Sequence, residues 1–146
     1  MTEAALATHR AFYDAVETGD VDLMASLWAD DPQTSCVHPG AVPLRGTQPV
    51  LRSWTLLMAN VGYIQFFLTD REVTSLPPGD DDPSVVVITC TENILSGGAG
   101  TGEQGETFTG AKAVCTSILV RDGAGWKFWS RHASPVAELG NLDSEG

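Results

Sequence analysis

Four long segments between Tyr63 and Ser134, each rich in β-branched and aromatic residues and bounded by turn-formers, restrict this chain to folds whose second half is an antiparallel sheet. Tyr63 to Leu76 is the first, and Pro77 to Pro83 is an acidic turn. Ser84 to Leu95 carries the run VVVITCT, and Ser96 to Gly105 is a loose glycine-rich connection. Thr107 to Arg121 alternates as a long strand, Asp122 to Gly125 turns, and Trp126 to Ser134 makes the last strand.

The chain before Tyr63 has a different period. From Glu3 to Thr18 the residues Leu6, His9, Phe12, Tyr13 and Val16 recur at helical spacing, with Thr2 as a cap and Gly19 as the stop. Asp20 then caps a second helix over Val21 to Ala29, with Leu23, Leu27 and Trp28 on one face. Thr34 to His38 alternates as a short strand that Pro39 and Gly40 end. Thr47 as a cap, Pro49 in the first turn, and a stripe of Val50, Trp54, Leu57, Met58 and Val61 mark a third helix. Helices followed by a run of strands define an α+β fold. The expected architecture is a curved antiparallel sheet wrapped over three N-terminal helices, a cone with an internal pocket, spanning 1–135 and followed by an acidic tail over 136–146.

With 146 residues and 42% hydrophobic ones, there is room for a single core. The net charge of −11 works against nucleic acid and anionic membrane surfaces as partners. No apolar run approaches the ~20 residues that span a bilayer, and the Met-Thr-Glu start lacks a basic leader, so a cytoplasmic location is expected. Cys36, Cys90 and Cys115 are odd in number and widely spaced, as suits reduced thiols. Trp126, Phe128 and Trp129 cannot all point one way, so the outer face of the sheet keeps apolar surface for a second subunit, and a homodimer is expected.

The segments GDVDLMASLWADD, SCVHPG, LRG, VLRSW, TCTEN and GWKFWSRHASP together resemble the nuclear transport factor 2-like, or SnoaL-like, superfamily across nearly the whole chain. The final tryptophan, histidine, alanine, serine and proline pattern is most similar to bacterial proteins related to the association domain of calcium/calmodulin-dependent kinase II. The resemblance implies a cone-shaped α+β domain. It leaves function open, since the superfamily holds isomerases, dehydratases, epoxide hydrolases, cyclases and non-catalytic assembly modules. The ketosteroid isomerase positions are not filled here. The tyrosine of that oxyanion hole falls on Phe12, its acid near Ser117, and the basic aspartate between Cys36 and His38, so steroid isomerase activity is rejected.

Three groups remain for acid/base chemistry. His38 can act as a general base near neutral pH, or simply bond a turn carbonyl beside Pro39. Glu92 stands in an otherwise apolar strand and needs a partner there, unless that edge meets solvent. His132 shares a strand face with Ser130 and Ser134, which puts Arg131 on the other face toward an anionic partner or a glutamate of a neighbouring subunit; a one-residue change of register would exchange the two. The expected site has His38 and His132 bracketing one polar group of a ligand, with Glu92 setting the charge of one imidazole. Cys36 lies on the His38 face, and Tyr13, Trp28 and Trp54 serve either as walls or as plain core. Such a site takes a small apolar or aromatic molecule.

No cofactor or metal signature survives inspection. Gly100 to Gly105 spells G-x-G-x-x-G, but a strand and not a helix follows it. Cys36 and His38 lack a third ligand nearby in sequence, and Asp80 to Asp82 lack the ligand spacing of a calcium loop. Two functions follow: a small-molecule-binding acid/base enzyme of isomerase, dehydratase or cyclase type, or a non-catalytic dimerisation and assembly module.

Overall fold

The computed structural model describes residues 2–98, 107–123 and 125–137. Helix α1 runs Glu3–Thr18, α2 Val21–Ser26 and α3 Thr47–Asn60; the strands are β1 Ser35–Val37, β2 Leu44–Arg45, β3 Tyr63–Leu76, β4 Val85–Gly98, β5 Thr107–Asp122 and β6 Gly125–Pro135. The six strands form one sheet in the order β2-β1-β6-β5-β4-β3. The α+β architecture therefore stands, with two additions. β1 pairs parallel to β6, and the short β2 extends that edge. The G-x-G-x-x-G run and most of the acidic tail lie outside the described residues.

Local chemistry sets most boundaries. Gly19 takes the left-handed conformation (φ 69°) that closes α1. Asp20 caps α2 by accepting a hydrogen bond from the Leu23 amide at 3.0 Å. That helix stops at Ser26, short of Ala29, because the backbone of Leu27 and Ala29 turns to bond Phe128 on β6. Thr2 makes no side-chain cap. Thr47 is likewise no cap: it is the first residue of α3, and its hydroxyl donates to the Ala29 carbonyl (2.6 Å) and accepts from the Asp31 amide (2.9 Å). It thereby ties α3 to the end of α2.

The core lies between the helices and the inner sheet face. It contains Phe12, Tyr13, Val16, Met24, Trp28, Val50, Trp54, Val86, Ile88, Leu119 and Phe128. Inward-facing residues on β4 are even-numbered and those on β5 odd-numbered, as a pleat of period two requires. On β6 the phase changes. Ile118 pairs with Ser130 while Leu119 pairs with Phe128, so Trp129 is an extra residue, a bulge. Before it Trp126 and Phe128 point inward; after it Arg131 and Ala133 do. Among the described residues, no helix is long and apolar enough to cross a membrane.

Candidate functional site

The Trp129 bulge decides which polar groups enter the cone. Arg131 is 2% exposed and sits opposite Cys36 of β1, whereas His132 is exposed on the outer face opposite Val37. The expectation that His132 faces the ligand and Arg131 faces outward is overturned: continuous alternation through β6 would have produced it, and the bulge reverses it. His132 does share its face with Ser130 and Ser134, but these line a groove of about 710 Å³ on the outer side of the sheet. His38 and His132 therefore bracket nothing in common.

Inside, Arg131 meets Glu92 of its own chain, not one from a neighbour. The Arg131 Nη2 and the Tyr13 hydroxyl both donate to Glu92 Oε2, the latter at 2.6 Å. Glu92 is 1% exposed and Tyr13 fully buried. The partner that a carboxylate in an apolar strand demands is thus a guanidinium plus a phenol. Because the Tyr13 proton goes to Glu92, the Cys90 S–H, 3.7 Å from the phenol oxygen, is the donor in that contact. Burial, reinforced by Glu92 and opposed by Arg131, pushes the Tyr13 pKa far up, so the phenol stays a donor. Burial opposes the Arg131 charge, but Cys115, Glu92, Tyr13 and Cys36 around it prevail and raise its pKa.

The guanidinium lies over the ring of Phe12 at 4.8 Å and over that of Trp54 at 5.3 Å. Its Nε is buried with no hydrogen-bond partner among the described residues. Phe12, where the resemblance to ketosteroid isomerases puts a catalytic tyrosine, is thus a wall for the arginine.

His38 stands beside this cluster. It is half-buried, packs edge-on against Trp54 (4.6 Å), and its Nε2 lies 2.9 Å from Ser53 Oγ. The Ser53 hydroxyl donates to the Val50 carbonyl at 2.7 Å, which leaves its oxygen to accept from His38 Nε2–H. Nδ1 then carries the imidazole lone pair. Burial, and next the Arg131 charge, lower the His38 pKa, so the ring is neutral at pH 7. Cys36 is buried inward on the same side, its thiol pKa raised by burial. Trp54 packs against both His38 (4.6 Å) and the Arg131 guanidinium (5.3 Å), while Trp28 packs on Phe128 (5.4 Å) and belongs to the core. Among the described residues no three His, Cys, Asp or Glu side chains gather into a metal-holding group.

Sequence reasoning missed the joining of Tyr13, Glu92 and Arg131. The available signal was the isolated Glu92 in an apolar strand together with the only arginine on the last strand.

Comparison with known proteins places this geometry in a family. A SnoaL-like domain model matches residues 5–138, and the chain belongs to that family, within the nuclear transport factor 2-like superfamily. Among solved structures, a protein from Streptomyces avermitilis, provisionally described as a dehydratase of the NTF2-like family, is 42% identical with a TM-score of 0.82; the match covers 94% of this chain and 97% of that one. A provisionally assigned calcium/calmodulin-dependent protein kinase type II association domain from Thiobacillus denitrificans is 24% identical with a TM-score of 0.69, over 90% of this chain and 94% of that one, and shares the fold. A ketosteroid isomerase-like protein from Erwinia carotovora atroseptica, at 14% identity and a TM-score of 0.69, covers 93% of this chain and 96% of that one and likewise shares the fold. No curated protein matches the chain in sequence.

Proposed function

We propose that this SnoaL-like protein binds a small apolar or aromatic carbonyl compound in its cone and acts on it by acid/base chemistry of the dehydratase type. The observation that carries the reading is the buried arginine whose Nε has no hydrogen-bond partner among the described residues, held by Glu92 and flanked by a neutral histidine. A buried charged pair costs desolvation that well-packed apolar residues would avoid, so its presence calls for a role. Arg131 Nε would donate to the carbonyl oxygen, where negative charge gathers as the adjacent C–H ionises. His38 Nδ1 would take that proton, the C–H electrons would form the C=C bond, and the β-hydroxyl would leave as water with the proton returned by His38. Glu92 and Tyr13 hold the guanidinium in place, and Phe12 and Trp54 form the apolar walls. The 42% identity to a provisionally described dehydratase supports the reaction class.

The test is thermal unfolding against a panel of small aromatic and alicyclic β-hydroxyketones. Stabilisation by at least one compound, lost in Arg131→Lys, is expected; a panel that shifts neither protein counts against the reading. The near-complete burial of Glu92 and Arg131 favours a second one, in which the pair is an internal staple of a non-catalytic assembly module. In that case Arg131→Lys lowers stability but no compound raises it.

A further inference from the structure

Cys90 on β4 and Cys115 on β5 are direct cross-strand partners at the centre of the sheet. Both are free thiols, both are buried (5% and 3% exposed), and with Ala133 they form a small cluster of their own. Directly opposed residues of antiparallel strands lie about 4.5 to 5.5 Å apart at Cα and point to the same face. That spacing falls inside the window of about 4.4–6.8 Å that a disulfide bridges. Their surroundings differ from those of Cys36, whose Cα partners are Leu44 and Arg131. Cys90 touches the Tyr13 hydroxyl at 3.7 Å, and Cys115 touches Ser117 Oγ at 3.7 Å.

We propose that Cys90 and Cys115 are a redox pair that closes into a cross-strand disulfide when the folded protein meets a small organic disulfide. One cysteine thiolate attacks the oxidant, forming a mixed disulfide and releasing one equivalent of small thiol. The second cysteine thiolate then displaces the other equivalent, so that the protein loses two protons and two electrons and the oxidant becomes two thiols. Both side chains point to the inner face, Cys90 toward the Tyr13 hydroxyl and Cys115 beside Ser117, so a small reagent reaches them on local opening of the structure, and a second subunit on the outer face leaves the product unchanged. Burial raises both thiol pKa values, Cys115 to about 12, so the reaction is slow at pH 7 and quickens with rising pH. The bond takes the S–H of Cys90 away from the Tyr13 oxygen and clamps β4 to β5 two residues from Glu92. This pair stands apart from the dehydratase reading and survives its failure.

The experiment treats the folded protein with excess 2-hydroxyethyl disulfide, alkylates after denaturation and digests with trypsin. Cleavage after Arg71, Lys112 and Arg121 puts Cys90 and Cys115 on separate peptides, and Cys36 on a third. The expected result is loss of two of the three alkylatable thiols, with peptide Glu72–Lys112 linked to Ala113–Arg121 and Cys36 alkylated. In Cys115→Ser the reaction should stop at a hydroxyethyl adduct on Cys90 or not start, with no cross-link. Adducts without a cross-link in the wild type, a cross-link that includes Cys36, or three thiols left after oxidation at pH 9 would each overturn the proposal.

Discussion

Arg131 and Glu92 depend on each other for their places in the core. Leaving either charge alone in a site that is 1–2% exposed costs about 3–5 kcal/mol, so Arg131→Met should lower the unfolding free energy by that order in urea titration. Tyr13→Phe leaves both charges paired and removes the hydrogen bond to Glu92 with the weaker Cys90 contact, and should cost about 1.5–3 kcal/mol. His9 provides a second residue-scale prediction. It is fully buried between Tyr13 (5.1 Å) and Phe128 (6.3 Å), and neither ring nitrogen has a hydrogen-bond partner among the described residues. Burial, followed by the charges of Arg71, Arg131 and Arg10, lowers its pKa from 6.5 to about 4. Between those values the unfolded chain binds a proton that the folded chain refuses. Stability should therefore fall as the pH drops from 6.5 toward 4, by about 3 kcal/mol over the interval, with no further loss from this group below it. His9→Phe should flatten that part of the pH profile in denaturant melts.

At the scale of elements, the bulge in β6 is the feature on which the site turns. Inserting one residue between Ser130 and Arg131 would shift the phase of the strand beyond the bulge and drive His132 inward and Arg131 outward, stranding Glu92. Loss of the near-ultraviolet dichroism and of a cooperative melt is the expected outcome; a stable, native-like insertion variant would show that the phase of β6 does not matter. The same bulge explains what was and was not legible in the sequence. Helix α1, the strand from Tyr63 to Leu76 and the inward pairing of Cys36 with His38 follow from period and punctuation, which are local properties. No local signal says where a strand gains a residue, because WKFWSRHAS reads equally well in either phase. The meeting of Tyr13, Glu92 and Arg131 joins α1, β4 and β6, and such contacts between distant segments have no signature in spacing. The parallel pairing of β1 with β6 was hidden for the same reason.

At the scale of the whole molecule, the outer sheet face carries exposed apolar residues among the described ones. It bears Phe67 (53% exposed), Val114 (48%), and a Tyr63–Phe108 edge-to-face pair (5.5 Å), alongside the groove that holds His132, Asp70 and Glu72. We expect two copies to meet there, sheet to sheet, as apolar strand faces require cover. Sedimentation at micromolar concentration should give a dimer, and Phe67→Glu with Val114→Lys a monomer; a monomeric wild type would contradict this. The inner face holds the proposed chemistry, and the most direct test of it is proton exchange at the carbon next to a bound ketone. In D2O, deuterium incorporation into a β-hydroxyketone that stabilises the protein should be catalysed by the wild type and by His132→Ala alike. It should fall by about 100-fold or more in His38→Ala. Undiminished exchange in His38→Ala, or its loss in His132→Ala, would contradict the assignment of the active face to the inside of the cone.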